Sequence, residues 1–257
     1  MVIDSHIHTG PLPGYMNYDT DTRDLIGLMD QLDIVYAVNS NHRDLIMGDL
    51  QGAAKENIML YEETKGRIMS YFAYDPFRHD ECMEVIDRYY DNKIFKGVKI
   101  HPSFNLISAD DDRYESIWDH ISRNGMVMMS HTWDISLTNP VQKYSYPAGF
   151  EKYIARYPRA TIIFAHSGGR YGGMVKAVDI AGRYRNVYLD LAGDIYADGF
   201  IEYAVSQLGS ERILFGSDYS MMDQRNMLGI VLGADISITD KENILWRNAA
   251  DLFGIDI

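Results

Sequence analysis

The chain has 257 residues, 46% hydrophobic and 24% charged, which suits one large folded unit with a substantial core, or two small ones. Its formal net charge of −13 would repel a phosphate backbone, so nucleic acid is not an expected partner. Cys82 is the only cysteine, no run approaches the roughly 18 apolar residues of a membrane span, and no basic-then-apolar leader opens the chain, so a cytoplasmic protein without membrane contact is expected.

Short β-branched or apolar runs alternate with longer segments of helical period. VIDSHIH (2–8) precedes DTRDLIGLMDQL, and IVYAVNS (34–40) and RIMSYFAY (67–74) lead to ECMEVIDRYYDN. FKGVKIH (95–101) precedes DDDRYESIWDHISRN, and then come MVMMSH (126–131), TIIFAHS (161–167), VYLDLA (187–192) and RILFGSD (212–218). Beyond the eighth run lie a helical stretch near 223–233 and a last helix opening on TDKE. There Thr239 and Glu242 have capping-box spacing ahead of ILWRNAADLF. Eight βα units without a Pro- or Ser-rich linker imply a parallel sheet. They fit a closed (β/α)8 TIM barrel, a single domain over 1–257 with a C-terminal helical extension from about 223 to 257. An open doubly wound sheet is the rival, but it would announce itself with a G-x-G-x-x-G turn after the first strand. Here that turn reads SHIHTGPLPG.

Five of the eight histidines (His6, His8, His101, His131 and His166) end a predicted strand, and strand C-termini converge on the mouth where barrel active sites lie. Residues i and i+2 of a strand face one side, so His6 and His8 both face the interior. The successive intervals along His8, His101, His131, His166 and Asp218 are 93, 30, 35 and 52 residues, each close to a whole number of βα units. Imidazole nitrogen and carboxylate oxygen gathered at one mouth suit Zn²⁺ and similar divalent ions, with Mn²⁺ and Fe²⁺ accepting overlapping ligands. Such an ion lowers the pKa of bound water towards 7, and a nearby His or Asp can move the proton.

With DSHIH, GVKIHP, SHT, FAHSGG, FGSD and the closing NAADLFGI in view, the chain resembles the amidohydrolase superfamily of metal-dependent barrels. The barrel begins at residue 2, so the small flanking β-sandwich of some members is expected to be missing. That places the chain near the compact amidohydrolase-related (amidohydrolase 2-like) branch, which contains hydrolases and nonoxidative decarboxylases. The resemblance implies that His6, His8, His131 and Asp218 hold the metal. It also implies that Asp218 handles the proton of the attacking water, and that His166 polarises the substrate, shuttles protons or ligates a second ion. Lys99 stops two residues short of its strand end and is not expected to reach the metals, so one ion is expected.

The expected reaction is cleavage of an amide, ester or lactone of a small molecule by metal-activated water. The alternative is decarboxylation of a small aromatic acid, and a third reading is an inert barrel that binds metal or a partner protein. His101 is a candidate substrate contact. Arg170 offers a planar fork for a carboxylate, or is simply solvated. Trp133 lines the pocket or packs on its loop. Asp4 and Asp190 either orient a ligand histidine or shape a strand end, and Gly168 and Gly169 form a tight turn. His42, His79 and His120 are expected at the surface. The loops 9–20, 102–110 and 132–147 carry no pattern that names a substrate, and a homo-oligomer is compatible with the sequence.

Overall fold

Eight parallel strands in sequential order form the sheet of the computed structural model, which describes residues 1–12, 22–195 and 197–257. They are β1 (Val2–Thr9), β2 (Ile34–Asn41), β3 (Ile68–Ala73), β4 (Phe95–Ile100), β5 (Val127–His131), β6 (Thr161–Ala165), β7 (Val187–Asp190) and β8 (Ile213–Leu214). Helix α1 (Thr22–Gln31) follows β1, α2 (His42–Leu45) and α3 (Leu50–Glu63) follow β2, and α4 (His79–Tyr89) follows β3. Next come α5 (Pro102–Asn105) and α6 (Glu115–Asn124), α7 (Glu151–Arg156), α8 (Tyr171–Arg183) and α9 (Phe200–Leu208). The chain ends in α10 (Gln224–Gly233), α11 (Ile238–Glu242) and α12 (Asn248–Phe253). Among the described residues, no helix is long and apolar enough to cross a membrane. The 9–20 loop falls outside the described residues from position 13 onward.

The barrel closes beyond β8. Only two residues of the predicted 212–218 run keep strand geometry, because the chain then bends, and Asp218 adopts a left-handed φ of 65°. The segment after Leu214 nevertheless zips onto β1, with Ser5 N–H donating to Phe215 O at 2.9 Å and Asp218 N–H to His6 O at 2.8 Å. Gly216 lies against β1, where a Cβ would stand 3.0 Å from that of His6.

Strand parity explains the two cores. Ile3, Val38, Met69, Tyr71, Val127, Met129, Ile163 and Leu214 fill the barrel interior, and Ala249, Ala250 and Phe253 of α12 pack beneath them. The histidines stand at the strand C-termini, so α12 beneath this core closes the opposite end. The other parity, with Ala37, Val98 and Ile162, meets the helices. Helix α6 shows why: Ile117, Trp118 and Ile121 form one buried stripe, and Gly125 in the left-handed region ends the helix. In β1 a register shift between Asp4 and Ile7 breaks the two-residue alternation. Ile3 therefore faces the interior and Ile7 the helices, while His6 and His8 point inward together.

The last predicted cap is displaced. Ser237 and Asp240, not Thr239 and Glu242, form the capping box, because the S-x-x-D pattern begins two residues earlier and leaves Thr239 inside the first turn.

Candidate metal centre

Hydrogen-bond accounting at the mouth fixes where the lone pairs point. His6 Nδ1 donates to Asp190 Oδ2 at 2.8 Å, and His8 Nδ1 donates to Ser40 O at 2.8 Å. In neutral imidazole the other nitrogen must then be an acceptor. The two Nε2 lone pairs face each other at 3.2 Å. Asp218 Oδ1 lies 3.2 Å from His8 Nε2 and 3.7 Å from His6 Nε2, buried and without a hydrogen-bond partner. Three electron-pair donors converge with no proton of their own between them, an arrangement that suits a cation, and the Lys99 ammonium meets part of that demand from 2.8 Å off His6 Nε2. The donors of a tetrahedral ion bound at about 2.0–2.1 Å stand about 3.3 Å apart, which matches these separations. The orphaned Asp218 oxygen and the opposed imidazoles therefore fit a divalent ion.

Lys99 Nζ lies 2.8 Å from His6 Nε2, which overturns the expectation that its position in β4 keeps it out of reach. Its stem runs inside the barrel towards the mouth, so a residue short of the strand end still delivers its amine to the cluster. Asp190 is the orienting carboxylate: besides His6 it accepts His166 N–H at 2.7 Å and Ala192 N–H at 3.0 Å. Asp4 ties backbone together instead, taking His6 N–H at 3.2 Å, Ser217 N–H at 3.0 Å and the Gln224 amide at 2.9 Å.

Burial keeps the imidazoles neutral. It lowers His8 and His131 to about 3 and His166 to about 4, and it takes His6 well below its ordinary value, helped by the Lys99 charge. Burial also draws Lys99 down to about 8 against the pull of Asp190 and Asp218. Both carboxyls are pushed upward by desolvation, while His166 and Lys99 oppose the shift. The close His6–Asp190 contact is thus a hydrogen bond from neutral imidazole to carboxylate rather than an ion pair.

Around this cluster stand the remaining rings, His131, His101 and Trp133 stacked and His166 tilted or edge-on to its neighbours. His166, in a left-handed conformation with φ 61°, gives its Nδ1–H to Ala192 O at 3.0 Å and sits 5.1 Å from the His6 ring. His131 lies 4.9 Å from His166, centroid to centroid, and its Nε2–H goes to Gln142 Oε1 at 2.9 Å. It stands beside the three converging donors rather than among them. A second group of candidate donors, His6, His166 and Asp190, shares one histidine with the first. His101 stacks on His131 at 4.0 Å, and its Nδ1 accepts Phe104 N–H at 3.2 Å, so Nε2 carries the proton. Trp133 lies parallel to His131 at 5.8 Å. A Cβ at Gly169, φ 78°, would collide with the indole, so that glycine lets Trp133 lie against the backbone. Arg170 is 5.3 Å from the Trp133 ring and is paired with Asp194 rather than free.

Besides Lys99, four positions depart from the sequence reading or escape it. His42 is not a surface residue: it is buried and stacks on His8 at 4.6 Å, because β2 runs to residue 41 and delivers it to the mouth. The strand-end signal that singled out the other histidines applies to it as well. His79 and His120 are half-buried, and His79 Nδ1 bonds the Tyr74 hydroxyl at 3.0 Å. Gln142 gives no signal in the sequence. It reaches His131 from the 3₁₀ turn Pro140–Ser145.

A parallel (β/α)8 barrel with buried His/His/Asp donors at strand C-termini defines the class of metal-binding barrels. The amidohydrolase (Amidohydro_2) family model matches residues 3–255, and the chain belongs to the amidohydrolase 2 family. A 2-amino-3-carboxymuconate-6-semialdehyde decarboxylase of Caenorhabditis elegans is 25% identical over 164 residues, covering 51% of this chain and 41% of that protein. The matched stretch is thus about two-fifths of that relative. A 2,6-dihydroxybenzoate decarboxylase solved with 2,6-dihydroxybenzoate superposes with TM-score 0.79 at 14% identity, covering 100% of this chain and 98% of the other. A dihydroxybenzoic acid decarboxylase of Polaromonas, solved with manganese and 2-nitroresorcinol, gives TM-score 0.74 at 16% identity over 98% and 96% of the two chains.

Proposed function

We propose that the protein is a metal-dependent nonoxidative decarboxylase of a small, aromatic-type carboxylic acid. This puts second the hydrolysis that the sequence alone placed first. The carrying observation is the trio of converging lone pairs of His6, His8 and Asp218, in a chain whose relatives include decarboxylases. A divalent ion held by these three, with His131 as a further donor once it exchanges Gln142, would supply a Lewis acid that holds the substrate oxygens. Zn²⁺, Mn²⁺ and Fe²⁺ all accept such donors, and the manganese of the Polaromonas enzyme supports Mn²⁺.

The reaction breaks one C–C bond. The electron pair stays on the carbon, which takes up a proton as carbon dioxide leaves, so no oxidant is needed. The acid that delivers the proton is Asp218: burial raises its carboxyl in the ion-free chain, a bound ion would oppose that rise, and the proton would sit on the oxygen that does not face the ion. His166 presents its Nε2 lone pair to the same space, since Nδ1–H is committed to Ala192 O, and it reloads Asp218. His101 Nε2–H donates to a substrate oxygen, and Trp133 forms the flat wall against which an aromatic ring lies. Arg170 takes the carboxylate only by leaving Asp194.

The test sets metal-loaded protein against aromatic acids in D₂O, with amides, esters and lactones in parallel. Loss of the carboxyl group with one deuteron appearing at the vacated carbon is expected. Turnover confined to the amide, ester or lactone set would restore hydrolysis. Asp218→Ala should lower kcat by about 10²–10⁴, the usual contribution of a positioned acid.

A further inference from the structure

Beside the imidazole cluster, on the same face of the barrel, lies a cavity of about 310 Å³ between the segments that follow β2, β3 and β4. That is the lower end of the range of small-molecule sites. Asp44, Leu50, Tyr74, Asp75, His101 and Asn105 are among its walls, and neither lysine nor arginine lines it among the described residues. His101 belongs to both spaces. One face of its ring covers His131 at 4.0 Å, the other meets Phe104 at 3.7 Å, and the residue also borders the cavity. The His101 ring thus borders both the cavity and the imidazole cluster.

The charged groups of this cavity, Asp44 and Asp75, are acceptors, beside the donor groups of Asn105 and His101. Asp75 Oδ1 takes Phe77 N–H at 2.9 Å and the Asn105 amide at 3.3 Å, and Oδ2 has no hydrogen bond among the described residues. Asp44 is buried with one oxygen on Ala73 N–H at 3.1 Å. Burial pushes its carboxyl up to about 7, and no lysine or arginine among the described lining residues offers a counter-charge to a second carboxylate. Apolar Leu50 and Ile46 complete the wall.

We propose that this cavity is a specificity subsite that takes a hydroxyl or amino substituent of the substrate and excludes a second carboxylate. Resting on the decarboxylase reading for the reaction, it narrows the substrate class to monocarboxylic acids with a hydrogen-bond donor remote from the departing carboxyl. The donor fills the open oxygen of Asp75, and His101 Nε2–H is left for an oxygen nearer the metal centre.

The experiment uses metal-loaded protein and matched benzoates that differ in one meta or para substituent: hydroxyl, amino, carboxylate or hydrogen. Affinity is read by calorimetric titration and turnover by product formation, so binding preference is measured even if no benzoate reacts. Hydroxy and amino acids are expected to bind at least tenfold more tightly than the dicarboxylate. D75N should close that gap by about tenfold. I46W, at a rim position 39% exposed where folding tolerates a large side chain, should weaken the substituted acids more than unsubstituted benzoate. Equal affinity across the wild-type series, or a gap unmoved in both variants, would overturn the subsite. Absence of turnover with the preference intact would instead count against the decarboxylase reading alone.

Discussion

His6 and His8 are held from behind before any ion arrives, His6 by Asp190 and His8 by the Ser40 carbonyl. This pre-sets the tautomers, so the cost of ordering the ligands is met by folding. His8→Ala should therefore strip the metal, measured by elemental analysis, without lowering the thermal midpoint of the metal-free protein. Asp190→Asn should keep the fold but weaken metal affinity about 10- to 100-fold, the usual effect of an orienting partner; unchanged affinity would remove Asp190 from that role. Asp44 gives a pH signature of its own. Burial holds its carboxyl at about 7 in the folded chain, above the ordinary 3.8. Its contribution to stability is therefore full below about pH 4 and is lost as pH rises through 7, at about 1.4 kcal/mol for each pH unit between those two values. Denaturant unfolding at pH 5 and pH 8 should show a larger loss in the wild type than in Asp44→Asn. Much of this centre is legible in the sequence, because strand ends repeat at unit spacing and i, i+2 parity turns His6 and His8 the same way. Lys99 is misread because residue position ignores the reach of a four-carbon stem. Gln142 is unreadable because a loop carries it and no period announces it.

Among the elements, β1 and the segment after β8 position the centre, and their irregularities are what make it. The register shift in β1 points both histidines inward, and the bend after Leu214 presents Asp218 to them. Neither feature is visible in a hydrophobic pattern, which predicts a regular strand through 218, whereas the eight strands themselves are visible through their apolar runs. At the opposite end, α12 acts as a plug, with Phe253 edge-on to Tyr71 at 6.2 Å. Phe253→Ala should cost about 3–5 kcal/mol in unfolding free energy and leave metal stoichiometry intact, since the plug and the mouth do not touch. Ser237→Ala should cost about 1 kcal/mol through the lost cap. Thr239→Ala should stay within about 0.5 kcal/mol, and the reverse order would reinstate the cap read from the sequence.

Over the whole molecule, fold and chemistry come from separable parts. Structural likeness persists at 14–16% identity over essentially the full chain, because a barrel needs only apolar alternation and closure. Substrate choice, by the proposal above, depends on loops and on the cavity that His101 borders, where identity that low constrains nothing. The proposed function joins the two: a barrel of this family, with its converging His/His/Asp lone pairs, removes a carboxyl group from a small acid. The decisive quantity is the ¹³CO₂ released from carboxyl-labelled hydroxybenzoates and aminobenzoates by metal-loaded protein, with chelated protein and Asp218→Ala beside it. Labelled gas in equal amount to the protonated product is expected, with loss of both in the two controls. Metal-dependent cleavage of an ester, amide or lactone with no labelled gas from any acid would contradict it.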